Sequence, residues 1–193
     1  METSIIHILG PGGAGKSTAG ELLAKNLGIP FIDLDQIFFN KQGHIEKFIA
    51  EHGYSTYARE NVCNYLKLIT AHKELLVVTL SSGFMTYPLD AEPSYNKIIT
   101  AIKSHPLSIL LLPSYEIEEC VEILVSRQLG RVYLSSNRMI EENKARKRFP
   151  LFMSLKCRHF QSNIHPIELA DRLTKFVMAS SHYNTDQANK SFI

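Results

Sequence analysis

Short apolar runs rich in β-branched residues alternate along this chain with stretches whose apolar positions recur every three or four residues. The runs cover residues 4–9 (SIIHIL), 31–34 (FIDL), 75–80 (LLVVTL) and 107–112 (LSILLL). Unbroken runs of this kind suit strands covered on both faces, as in a parallel sheet. Between the first two, Ala19, Leu22, Leu23 and Leu27 share one helical face, and Gly28 and Pro30 end that helix.

Residues 43–72 predict helices, with Val62, Leu66 and Ile69 as a stripe, and residues 90–104 predict another, closed by Pro106. Beyond Pro113, the stretch Tyr115 to Arg127 sets Ile117, Val121, Leu124 and Val125 on one side of a helix. Residues 138–148 predict a basic helix, and Ile167 to Met178 a last one that packs back on the sheet. A fifth strand is expected near His159 to Ser162, although nothing there has strong β character. Residues 180–193 are polar and patternless and are expected to fray. The alternation predicts a three-layer α/β sandwich.

Composition narrows the function classes. The 193 residues are expected to form one unit, 45% hydrophobic and 21% charged, and a formal charge of +2 implies no polyanion partner. In the run KARKR (144–148), Lys144, Lys147 and Arg148 share a helical face, but the run is brief and lacks interleaved aromatics. A solvated face is expected for Lys144 and Lys147, with no nucleic-acid binding. The first apolar run is about six residues long, has no basic leader or cleavage site, and no later run approaches the ~18 residues of a membrane span. A cytoplasmic protein without a membrane partner is expected. Cys63, Cys120 and Cys157 are too scattered for a disulfide framework or a zinc site, and the eight histidines show no ligand spacing.

Candidate chemistry begins at residues 10–18, GPGGAGKST, which match G-x-x-x-x-G-K-[ST] between a β-run and an amphipathic helix. Glycines let the backbone curl so that the N–H groups of Gly12, Gly13, Ala14 and Gly15, continuing into Thr18, face phosphate oxygens at a helix N-terminus. Lys16 can reach the β and γ phosphates and Ser17 can ligate Mg²⁺, so ATP with Mg²⁺ is the expected cofactor pair. Asp33 and Asp35 follow the second apolar run. In a parallel sheet they emerge at the same edge as the loop, where one carboxylate can serve Mg²⁺ and the other an attacking hydroxyl. The structural alternative is a helix N-cap at Asp35 with Asp33 solvated.

The stretch GPGGAGKSTAGELLAKNLGIPFIDLDQIF resembles the N-terminal third of shikimate kinases, including the spacing from loop to Asp-x-Asp. The resemblance implies the nucleoside monophosphate kinase fold, with a five-stranded parallel sheet in the order 2-3-1-4-5, a helical substrate segment near 36–72 and a small helical lid near 127–140. It implies transfer of the γ-phosphate of ATP to a ring hydroxyl of shikimate. Asp33 matches the magnesium-side aspartate and Asp35 the one that holds and activates the hydroxyl.

Farther along, the match thins. The family's Phe-Arg-x-x-Glu falls on Tyr57-Ala58-Arg59-Glu60-Asn61, so the carboxylate-binding arginine position is Ala58, with Arg59 as the neighbouring substitute, and the glutamate position is Asn61. The family's Gly-Gly-Gly falls on Ser81-Ser82-Gly83, which places Ser82 and Gly83 at the substrate. Gly130-Arg131-Val132-Tyr133-Leu134 is similar to the lid segment, which makes Arg131 the catalytic lid arginine, and Arg127 resembles the arginine that flanks adenine. Arg148-Phe149-Pro150-Leu151-Phe152 resembles Arg-x-Pro-Leu-Tyr, whose arginine also contacts the substrate carboxylate. A monomeric small-molecule kinase for shikimate or a similar hydroxy acid is the leading expectation. The alternatives are a related kinase for a sugar acid or nucleotide, and a non-catalytic nucleotide-binding relative.

Overall fold

In the computed structural model, which describes residues 5–130 and 137–183, the sequence Ile5–Leu9 forms the central strand β1 of a five-stranded sheet. The helix Lys16–Leu27 (α1) follows, then strand β2 (Phe31–Asp33) and helices α2 (Leu34–Gln42), α3 (Ile45–His52) and α4 (Tyr54–Ala71). Strand β3 (Leu76–Thr79), a 3₁₀ turn (Phe84–Thr86), α5 (Tyr95–Ser104) and β4 (Ser108–Leu112) come next. Helices α6 (Ile117–Leu129) and α7 (Arg138–Met153), strand β5 (Arg158–Gln161) and α8 (Pro166–Met178) complete the order. All the strand pairs are parallel, and the order is β2-β3-β1-β4-β5, as the resemblance implied.

The inner strands β1, β3 and β4 are buried along their whole length, which explains why their sequences are continuous apolar runs. The edge strands β2 and β5 are only partly covered. Register matters for function: Ile8 stands beside Thr79, and Thr79 beside Asp33. The loop that leaves β1 at Gly10 and the carboxylate that ends β2 therefore lie at one edge. Helix α1 packs closely over this edge because residue 20 is glycine; a Cβ there would lie 2.7 Å from Thr79 Cγ2 and 2.8 Å from the Phe31 ring.

Three boundaries differ from the sequence reading. The helix expected from residue 90 begins at Tyr95, since Pro93 disfavours helix just before it and the Ser94 N–H donates to Glu92 Oε2 at 2.6 Å. The basic helix expected to end at residue 148 runs to Met153 with Pro150 inside it. The second apolar run is strand only as far as Asp33, and Leu34 already opens α2, with Asp35 in its first turn.

One buried polar group in the sheet is notable. His7 on β1 meets the Tyr65 hydroxyl at Nε2 (2.9 Å) and Ser108 Oγ at Nδ1 (3.4 Å). Ser108 gives its proton to the Ile102 carbonyl at 2.7 Å, so the ring donates from Nδ1 and accepts from Tyr65 at Nε2. Burial, and then the neighbouring His105, push the His7 pKa down from 6.5 to about 3, so the ring is neutral at ordinary pH. Among the described residues, no helix is long and apolar enough to cross a membrane.

Candidate active site

The loop between β1 and α1 is shaped by three glycines with positive φ: Gly10 at 143°, Gly13 at 84° and Gly15 at 83°. At Gly10 a Cβ would lie 2.4 Å from the Leu111 carbonyl oxygen on β4, so the loop leaves the sheet through a gap that admits no side chain. Gly15, in the left-handed region, starts α1 without a side-chain cap, which leaves the first amides of that helix for a ligand. Lys16 is 9% exposed and folds back so that Nζ donates to the Pro11 carbonyl at 3.1 Å. Gly13 and Ala14 are buried, Gly12 and Gly15 partly exposed, and Ser17 and Thr18 open to solvent.

Ser17 Oγ donates to Asp33 Oδ2 at 2.5 Å. The other oxygen of Asp33 accepts from the N–H groups of Asp35 (2.9 Å) and Gln36 (3.3 Å), capping α2. The structural reading of these acids thus moves two residues back along the chain: Asp33 is the cap, and it caps while holding Ser17. A hydroxyl and a carboxylate are hard oxygen donors, and Mg²⁺ usually takes only one or two protein ligands, filling its shell with water and phosphate oxygens. Ser17 and Asp33 fit that ion. Among the described residues there is no group of three or more His, Cys, Asp or Glu side chains suited to a metal.

On the other flank of the loop, Arg127 Nη1 donates to the Gly13 carbonyl (3.2 Å) and Nη2 to Asn163 Oδ1 (3.0 Å). Arg127 joins Gly13, Gly15, Thr18, Ser162 and Ile164 around a cleft of about 370 Å³. A base attached to phosphates in the loop would have its place in this cleft. Gln128 packs beside Gly12, where a Cβ would lie 2.6 Å from its amide nitrogen.

The side toward Asp35 is lined by tyrosines. The rings of Tyr54 and Tyr57 are 5.9 Å apart, Tyr54 and Tyr87 5.8 Å, and Tyr57 and Tyr87 6.0 Å. Asp35, half-buried, is close enough for its charge to act on the hydroxyls of Tyr57 and Tyr87. Burial first, and then neighbouring negative groups including Asp35, hold both phenols protonated, well above their usual range. Arg148 Nη2 donates to the Tyr54 hydroxyl at 3.1 Å. Gly83 lies between them, for a Cβ there would be 2.6 Å from that hydroxyl and 3.2 Å from Arg148 Nη2. Asn61 is within hydrogen-bond reach of Tyr57, Ser81 and Tyr87.

The predicted residues divide accordingly. Lys16, Ser17 and Asp33 meet at the loop with Gly12, Gly13, Ala14, Gly15 and Thr18, and Arg127 reaches the same loop. Gly83 and Arg148 meet at Tyr54, with Ser82 half-buried next to Gly83 in sequence. Arg59 is not brought in. It is exposed and two residues from both Tyr57 and Asn61, about 200° round the helix, while Ala58 is fully buried. Arg131 lies outside the described residues. Elsewhere in the basic run, Lys144 pairs with Glu141 at 2.7 Å and Arg146 with Glu118 at 2.7 Å and Glu142 at 3.0 Å, while Lys147 is exposed.

Sequence reasoning overlooked Tyr54, Tyr57, Tyr87, Gln128 and Asn163. Only the first two left a usable trace, since Tyr54, Tyr57 and Asn61 follow helical spacing on one face of α4.

The family model described as Shikimate kinase matches residues 12–178. A shikimate kinase of Chlorobium limicola is 41% identical over 111 residues, 55% of this chain and 53% of that protein, so the match spans about half the relative's length. The structure of a shikimate kinase from Acinetobacter baumannii in complex with shikimate aligns with a TM-score of 0.70 at 24% identity, covering 93% of this chain and 95% of the other. That of a shikimate kinase from Bacteroides thetaiotaomicron gives 0.68 at 18%, covering 91% and 98%.

Proposed function

The chain belongs to the shikimate kinase family, and on that premise we propose that it transfers the γ-phosphate of ATP to a hydroxyl of shikimate. The observation that carries this reading is the double use of Asp33. One carboxylate binds Ser17 of the phosphate loop and caps the helix that bears Asp35, so the nucleotide side and the acceptor side are held in one frame.

In this reading the loop amides and Lys16 hold the β and γ phosphates. Lys16 exchanges its bond to the Pro11 carbonyl for phosphate oxygens. Ser17 and Asp33 would hold Mg²⁺, which when bound offsets negative charge on the phosphates. Arg127 flanks the base. On the acceptor side, Arg148 pairs with the carboxylate of shikimate while Tyr54 steadies the guanidinium. Asp35 accepts the proton of the attacking hydroxyl as its oxygen bonds to the γ-phosphorus; the bond to the β–γ bridging oxygen breaks, and ADP leaves with that electron pair. Arg131 is proposed to stabilise the charge on the transferring group.

A panel of acceptors tested by coupled ADP release checks the reading. Shikimate is expected to support turnover far above sugar acids and nucleoside monophosphates. Turnover with another acceptor and none with shikimate overturns the substrate, and ATP binding without turnover of any acceptor overturns the reaction.

A further inference from the structure

Asn61 is wholly enclosed, at 0% exposure, one turn beyond Tyr57 on α4. Its Nδ2 has three oxygens in reach: Ser81 Oγ at 2.6 Å, and the hydroxyls of Tyr57 and Tyr87 at 3.0 Å each. An amide nitrogen carries two protons, so three acceptors exceed its capacity. Turned end for end, the amide would present Oδ1 to the same three hydroxyls, each of which brings a proton of its own. In either orientation one amide atom faces all three hydroxyls and can bond two of them at a time. The other, Oδ1 as placed, is buried with no hydrogen-bond partner among the described residues.

A residue with only packing to do gains nothing from an amide atom kept in that condition, because leucine fills a similar volume without polar atoms. Such departures from local rules gather where a fold serves a site. The location of this one supplies a purpose. Tyr57 and Asn61 belong to α4, Ser81 to the segment leaving β3, and Tyr87 to the far side of the 3₁₀ turn. A single amide thus ties a helix to the loop at the carboxyl edge of the sheet. The rings of Tyr57 and Tyr87 both pack against Tyr54, which holds Arg148, and both hydroxyls lie within the influence of Asp35. The node backs the wall that runs from Asp35 to Arg148.

Resting on the function proposed above, we propose that Asn61 is a positioning residue for the phosphoryl acceptor. By gathering the hydroxyls of Tyr57, Ser81 and Tyr87, it sets the spacing between the carboxylate that takes the acceptor's proton and the guanidinium that anchors the acceptor. Arg59, which sequence likeness brings forward together with Asn61, is exposed and makes none of these contacts.

Steady-state kinetics of the full chain test it, with thermal melts run on every variant. Asn61→Leu is expected to stay folded, to raise the KM for shikimate by about 10-fold or more, and to leave the KM for ATP within about twofold. Asn61→Asp is expected to recover most of the loss, since a carboxylate can accept from all three hydroxyls. Tyr87→Phe and Ser81→Ala, which each remove one hydroxyl, are expected to raise the shikimate KM by about threefold, and they carry the test if Asn61→Leu does not fold.

An unchanged shikimate KM in the folded variants overturns the inference. So does a parallel loss for ATP and shikimate, which marks general loosening, or a failure of Asp to rescue. If the wild type phosphorylates shikimate and the variants behave like it, the inference fails alone. If the wild type does not phosphorylate shikimate, the proposed function fails and the inference falls with it.

Discussion

Around the phosphate loop the structure is made of main chain, whereas the wall proposed for the acceptor is made of side chains drawn from separate segments. Gly10, Gly13 and Gly15 shape the loop through positive φ, and the neighbouring carbonyl of Leu111 leaves no space for a Cβ at Gly10. The acceptor wall instead takes Asp35 from α2, Tyr54, Tyr57 and Asn61 from α4, Ser81, Gly83 and Tyr87 from the loop after β3, and Arg148 from α7. Backbone that must follow one path restricts sequence at each position. A wall of side chains can be rebuilt by changes that leave the fold intact, so it is where relatives of one fold diverge in what they accept.

The contrast predicts that damage on the two sides separates kinetically. The largest effect is expected from Asp35→Asn, which removes the proposed base but no proposed contact with the nucleotide. The kcat should fall by about 100-fold or more with the KM for ATP unchanged, read by ADP release under saturating ATP. An equal loss of ATP affinity would break the division. Gly10→Ala should do the reverse, weakening ATP by roughly 10- to 100-fold in a nucleotide titration, because a side chain at that φ collides with the β4 carbonyl.

Gly83→Ala sharpens the comparison, for this glycine sits on the side-chain half. Its Cβ displaces Tyr54 and Arg148, so the KM for shikimate should rise by about 10-fold while ATP is unaffected. A separate effect, on stability and not on turnover, concerns the sheet beneath both halves. His7 titrates near 6.5 when unfolded and at about 3 when folded, so its stability is fully present above pH 6.5. As pH falls toward 3 the unfolded chain takes up the proton first, and about 1.4 kcal/mol should be lost per pH unit. Denaturant midpoints between pH 6 and 4 should approach this slope, and His7→Gln should flatten it.

The same contrast decides what could be read from residues alone. The phosphate loop was legible because a backbone constraint writes itself as adjacent glycines, and its neighbours β1 and α1 have the patterns of a buried strand and a covered helix. The inner strands were legible for the same reason. The acceptor side was legible only in part: Asp35, Gly83 and Arg148 came forward through the resemblance, whereas Tyr54 and Tyr87 join them by tertiary packing across long stretches of chain. Arg59 illustrates the failure: a likeness that slips by one residue moves a helical side chain by about 100°, and here Arg59 lies exposed. The cap of α2 fell on Asp33 and not on Asp35 because the strand stops at Asp33, whose own carboxylate begins the next helix.

Strand β5 was the hardest to foresee, and the reason has a use of its own. Arg158, His159, Phe160 and Gln161 make a poor strand, with a cation at one end and partial exposure throughout. At the opposite rim β2 is three residues long and closes on an acid. A parallel sheet of this kind ends in two rows of main-chain groups that foreign chains can extend. Brief, charged borders deny them a template, so the feature that concealed β5 also discourages these molecules from joining edge to edge when crowded.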